Sequence, residues 1–187
     1  RLDVPGGTLQ GVSYCATCDG AFYKDKTVAV IGGGDTALGD AMYLSRMAKK
    51  VYLVHRRQEF RANQALQTAV QQNAAIELVL DAVPTAVLGE KRVDHLELLQ
   101  NGASKTLPVD GVFVAIGSIP NTDFLGDLCK LDESGYILAD ETGVTTTPGV
   151  FAAGDVRTTP LRQVVTAVAD GANCVQSIEQ YFRKGNG

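Results

Sequence analysis

The chain has 187 residues, 45% of them hydrophobic and 20% charged, the proportions of a soluble globular protein with one domain or two small lobes. A net charge of −4 argues against nonspecific nucleic-acid binding. No apolar run approaches the roughly 20 residues needed to span a bilayer.

Residues 1–13 are irregular in pattern, with Pro5-Gly6-Gly7 as a turn signal, and carry no apolar signal-peptide core. There is no initiator Met, so a fragment or processed product is expected. Tyr14-Cys15-Ala16-Thr17-Cys18-Asp19-Gly20 follows. Two cysteines separated by two residues can close a small redox-active ring, and Asp19 is placed to give or take a proton during thiol–disulfide exchange. The rival reading is half of a zinc site. Zinc wants four ligands, however, and Cys129, Cys174, His55 and His95 are all solitary, so redox use is favoured and no metal site is expected. Four cysteines are too few for a secreted disulfide framework, which points to a reducing cytoplasm.

Residues 27–61 form the stretch around which the chain is organised. Val28-Ala29-Val30-Ile31 reads as a buried strand and Gly32-Gly33-Gly34 as a tight turn. Ala37, Leu38, Ala41, Met42, Leu44, Ser45 and Ala48 recur at helical spacing, and Val51–Val54 is a second strand. Gly32-x-Gly34-x-x-Ala37 therefore stands where a dinucleotide fingerprint belongs, with the N–H groups at the helix start (Asp35, Thr36, Ala37) facing a pyrophosphate. The second strand ends in His55-Arg56-Arg57, with Arg61 beyond and no carboxylate at the strand end. Guanidinium groups suit a 2′-phosphate, so NADP(H) is expected over NAD(H).

SYCATCDGAFY, VAVIGGGDTALGDA and HRRQEFRA, in this order and spacing, resemble bacterial low-molecular-weight thioredoxin reductases over nearly the whole chain. The resemblance implies an NADPH- and FAD-dependent homodimeric enzyme that reduces a thioredoxin-like protein through the Cys15–Cys18 disulfide, with Cys18 beside the flavin, Cys15 attacking the partner and Asp19 as general acid. The remaining alternatives are a reductase component for a peroxiredoxin and a catalytically silent NADP(H)-binding module. One departure is Gly39-Asp40, where the family usually carries two acidic residues.

Downstream, residues 62–73 read as a helix, and the runs 76–80, 84–88, 93–99 and 105–109 as a β-meander with an Asn101-Gly102 turn. Val112–Gly117 is an apolar strand ending where open α/β sheets bind ligands, which makes Ile116 and Gly117 candidate cofactor contacts. In the tail, Val150–Ala153 reads as a short strand before Gly154-Asp155, and Thr159-Pro160 as a helix start. An apolar stripe then runs from Leu161 to Phe182. By resemblance, Gly154 and Asp155 meet the flavin's ribityl and pyrophosphate region, and Arg162, Gln163 and Val164 meet its ring.

The expected fold is α/β. Residues 1–13 are a linker from an absent FAD half-domain, 14–117 a Rossmann-like NADPH-binding domain with a parallel sheet and a meander, and 118–187 the C-terminal part of a second, FAD-binding Rossmann-like domain. About a hundred residues carrying a second glycine fingerprint are expected to be missing, judged by the usual size of a domain. FAD binding by this chain alone is therefore expected to be weak or absent, as is turnover.

Overall fold

The computed structural model describes residues 2–185. The chain divides into two compact units, Arg1–Gly117 and Ser118–Gly187.

The first unit is built on a five-stranded parallel sheet. Its strands are β1 (Val12–Ser13), β2 (Thr27–Ile31), β3 (Lys50–Val54), β4 (Ile76–Val79) and β8 (Gly111–Val114), in the order β1-β8-β2-β3-β4. Helices α1 (Ala16–Asp19), α2 (Asp35–Leu44) and α3 (Gln64–Gln72) lie between these strands in sequence. A second, antiparallel sheet is formed by β5 (Ala82–Leu88), β6 (His95–Gln100) and β7 (Ala103–Pro108).

The central strands β2, β3 and β8 are apolar nearly throughout because both faces of the parallel sheet are covered there, whereas the edge strand β4 carries the exposed Glu77. Val28, Val30, Val51, Leu53 and Phe113 join one core with Leu38, Leu44 and Val70 of the helices. The alternate residues Ala29, Ile31, Tyr52, Val54, Val112 and Val114 join another with Leu96, Leu98 and Leu107 of the antiparallel sheet. This makes three layers: helices, parallel sheet and meander.

Several elements depart from the sequence expectation. Residues 2–11 are irregular, as expected, but Leu2 is buried in the meander-side core, and Val12–Ser13 form β1, which pairs in parallel with β8. The run from Ile76 does not belong to the meander but extends the parallel sheet beside β3. Helix α2 ends at Leu44, four residues before the end of its apolar pattern, although Ala48 remains buried. The β6–β7 turn is as expected, with Asn101 at φ 51° and Gly102 at φ 79°, the left-handed pair a two-residue hairpin demands.

Among its described residues the second unit has no named strand. It is held by isolated bridges (Leu131 with Ile137, Ile137 with Arg157, Val144 with Phe151) and by α4 (Val164–Arg183). Val150–Ala153 is thus a bridge rather than a strand. Helix α4 starts at Val164, not after Thr159-Pro160. Gln163 and Thr166 form the reciprocal capping box that sets the start, while Thr159 donates its hydroxyl proton to the Leu161 carbonyl. The expected apolar stripe lies largely at the unit's surface. Val164, Val165, Val168, Val175 and Phe182 are exposed, and the residues α4 buries are Asp170 and Cys174.

Candidate functional site

In the first unit, β2 runs into the glycine turn. Gly32 has φ 153°, and a Cβ there would lie 2.3 Å from the Ala115 carbonyl oxygen and 2.7 Å from the Ala37 methyl. Only glycine lets the turn close against the neighbouring strand end, which carries Ile116 and Gly117. At Gly34 the situation reverses: a Cβ would meet nothing within 4 Å. The backbone is therefore open to an approaching group where α2 begins. The first helical bond runs from the Leu38 N–H to the Gly34 carbonyl, so the N–H groups of Asp35, Thr36 and Ala37 have no helical acceptor. The Asp35 carboxylate is used within the fold, accepting from the backbone and side chain of Asn63 at 2.8 Å each.

Beyond β3, the exposed Arg56, Arg57 and Arg61 lie on the loop that returns to this turn, where the Arg61 N–H donates to the Gly33 carbonyl at 2.8 Å. Among the described residues, no carboxylate lies within ion-pair distance of these three guanidinium groups. His55 is unlike them, being only 7% exposed. Burial holds its imidazole below the usual histidine range, and the three neighbouring arginines reinforce that against the bond to the Glu59 carbonyl.

Cys15 and Cys18 are joined in a disulfide, with Cα atoms 5.3 Å apart. Cys15 is half-buried and Cys18 exposed. The ring is set at the start of α1, and Ala16 packs into the same core as Ala37, Leu38 and Ala41 of α2. The Ser13 hydroxyl at the end of β1 donates to the Asp19 carboxylate at 2.7 Å and accepts from the Cys15 N–H at 3.1 Å. Asp19 thus has a fixed orientation next to the disulfide. It lines a hollow of about 360 Å³ with Phe22, Tyr23, Lys26 and Arg92.

In the second unit, Gly154 (φ 79°) opens a tight turn through Asp155. The Arg162 Nε reaches the Asp155 carbonyl at 3.4 Å, and its guanidinium lies 4.0 Å from the centre of the Tyr136 ring. Gln163 caps α4 and Val164 is its first residue, 80% exposed. Gly154, Asp155, Arg162, Gln163 and Val164 are therefore one neighbourhood of this unit.

The family described as pyridine nucleotide-disulphide oxidoreductase matches residues 1–171. The chain belongs to that family. It is 43% identical over 178 residues to a thioredoxin reductase of Listeria innocua, covering 94% of this chain and 56% of that protein. It is 42% identical over 182 residues to that of Peptoclostridium acidaminophilum, covering 93% and 58%. Among solved structures, the thioredoxin reductase of Streptococcus pyogenes superposes with a TM-score of 0.92 at 39% identity, covering 98% of this chain and 62% of that one. That of Lactococcus lactis, in its FR conformation, gives 0.70 at 36% identity, covering 98% and 63%. The chain thus spans about three fifths of the length of these relatives. Its fold is that of the oxidoreductase family, with a Rossmann-like first unit, and among the described residues no helix is long and apolar enough to cross a membrane.

Two parts of these neighbourhoods were not expected from sequence. Ser13, the first residue of the SYCATCDGAFY run, was given no role there, yet its hydroxyl holds Asp19. In the second unit, Asp170 of α4 accepts from the Gly154 N–H at 3.0 Å and from Arg157 at 2.7 and 2.6 Å, pinning the turn to the helix. The pair shifts both partners toward charge: hydrogen bonding from Arg157 holds the Asp170 carboxyl below its ordinary value, and Asp170 raises Arg157.

Proposed function

We propose that this chain is the NADPH-binding and disulfide-bearing part of a thioredoxin-disulfide reductase. The observation that carries the reading is that one compact unit joins a redox disulfide to an open glycine turn flanked by three unpaired arginines. The residues fit NADPH. The space at Gly34 and the first N–H groups of α2 suit a pyrophosphate, and Arg56, Arg57 and Arg61 suit a 2′-phosphate. Ile116 and Gly117 border the same turn through Ala115. In the second unit, Gly154, Asp155, Arg162, Gln163 and Val164 are the residues to hold FAD, supported by the positive-φ turn and the start of a 20-residue helix. When bound, NADPH supplies a hydride and FAD carries the two electrons on to the disulfide.

Once Cys15 and Cys18 are thiols, the chain's own chemistry is thiol–disulfide exchange. The Cys15 thiolate attacks a disulfide of a thioredoxin-like partner, forming a mixed disulfide and releasing one partner thiolate. The Cys18 thiolate then attacks the Cys15 sulfur, re-forming the ring and releasing the second. The partner gains two electrons and two protons. In this reading Asp19 is the residue that passes a proton at the sulfurs, a role supported by its being next to Cys18 in the chain and held by the Ser13 hydroxyl.

The test needs no flavin. The chain is reduced with excess dithiothreitol, desalted and mixed with an oxidised thioredoxin, and partner thiols are counted by mass-tagged alkylation. One partner disulfide should be reduced to two free thiols per chain, whereas Cys15→Ser, left with one thiol, should release no fully reduced partner. Equal transfer from the Cys15→Ser variant, or none from the unsubstituted chain, would sink the assignment.

A further inference from the structure

We infer that His55 is not a ligand of the nucleotide but a positioning residue that locks the glycine turn and the arginine loop into one site; this rests on the nucleotide reading above. Its position in the HRR run suggests a phosphate contact, yet four observations place it beneath the site. A Cβ on Gly33 would lie 2.2–2.6 Å from three atoms of the imidazole, so the turn lies directly on the ring. Nε2 lies 3.1 Å from the Glu59 carbonyl. A carbonyl only accepts, so the proton is on Nε2 and the ring holds the middle of the arginine loop. Phe60 stacks on the imidazole, with centroids 5.3 Å apart and planes 26° apart. The loop then closes back through the Arg61 N–H to the Gly33 carbonyl at 2.8 Å.

His55 therefore contacts both halves of the site. Through Gly33 it sets the turn that would meet the pyrophosphate; through Glu59 and Phe60 it sets the loop between Arg57 and Arg61. The ring must be neutral for this role. A buried imidazolium beside Arg56, Arg57 and Arg61 would repel the charges it positions, and its environment disfavours the cation.

The two contacts can be separated. His55→Phe keeps a flat ring under Gly33 but loses the bond to Glu59, whereas His55→Ala loses both. NADPH and NADH are titrated into each chain by isothermal calorimetry. In His55→Phe, NADH affinity should stay within about threefold of the unsubstituted chain. Its preference for NADPH over NADH should fall about tenfold, the equivalent of one hydrogen bond. His55→Ala should weaken both nucleotides. Phe60→Leu, which leaves His55 in place and loses only the stack, should move the preference in the same direction by a smaller factor; it carries the test if His55→Phe does not fold. A purely structural histidine would lower the melting temperature without moving the preference, and that result overturns the inference. If the unsubstituted chain does not prefer NADPH, the nucleotide reading itself falls and takes this inference with it.

Discussion

The Arg157–Asp170 pair offers the sharpest test of how the second unit is held. Asp170 accepts three hydrogen bonds, two from Arg157 and one from the Gly154 N–H, and the two side chains are only 8% and 7% exposed. Breaking a buried pair by removing one partner costs about 3–5 kcal/mol, because the other charge is left buried. Arg157 keeps bonds to the carbonyls of Ala139 and Thr158, at 3.3 and 2.7 Å, so Asp170→Asn belongs at the low end, about 3 kcal/mol. Cys174 lies one turn further along α4, buried, with its thiol against the Ala152 carbonyl. Its alkylation rate therefore reports opening of the unit. A loss of about 3 kcal/mol corresponds to labelling roughly a hundredfold faster when opening is a rapid pre-equilibrium. The pair should also set an acid limit. Because the folded Asp170 carboxyl is held below its unfolded value, its stabilisation is complete above that unfolded value, about 4, and is lost as pH falls through the folded one. The urea midpoint of the unsubstituted chain should drop over that range more than that of Asp170→Asn. Labelling of Asp170→Asn within threefold of the unsubstituted rate would refute the view that this pair ties the Gly154 turn to α4.

Two further outcomes are expected. Replacing Arg56 and Arg57 together by Ala removes two exposed, unpaired guanidinium groups; at about 1–1.5 kcal/mol each, NADPH affinity should fall roughly 30- to 150-fold in calorimetry while NADH changes little, and equal losses would remove the 2′-phosphate from this loop. Gly39→Ala should raise stability by about 1 kcal/mol in urea unfolding, because Gly39 is interior to α2 and an added Cβ meets nothing within 4 Å; a destabilised variant would mean that the position is occupied in solution.

What the sequence made legible follows from where the physics is local. The order of strand, glycine turn, helix and strand could be read because each element carries its own period, and the positive φ at Asn101 and Gly102 could be read from two adjacent residues. Partner choice was not local. Ile76–Val79 has the same apolar character as the meander strands, and only the open edge of β3 decides that it joins the parallel sheet. The start of α4 was misplaced because Thr159-Pro160 offers a good cap, while the reciprocal bonds of Gln163 and Thr166 offer a better one four residues later. Ser13 and Asp170, and the contacts His55 makes with Gly33 and Glu59, were missed for one shared reason. Each acts through a neighbour distant in sequence or hidden in burial, and no spacing rule reports that.

That contrast bears on how nucleotide preference is built into this chain. The residues that would touch a phosphate are exposed, unpaired and readable from the sequence; the one that decides where they stand is buried, neutral and disguised as one of them. An exposed arginine loses rotamer entropy each time it binds, and that cost falls when its backbone is already fixed. Here the loop backbone is fixed at Glu59 by the imidazole and at Arg61 by Gly33, one bond on each side of Phe60. Changing the arginines alone should therefore alter which nucleotide binds. Changing the ring beneath them should alter whether the loop can discriminate at all.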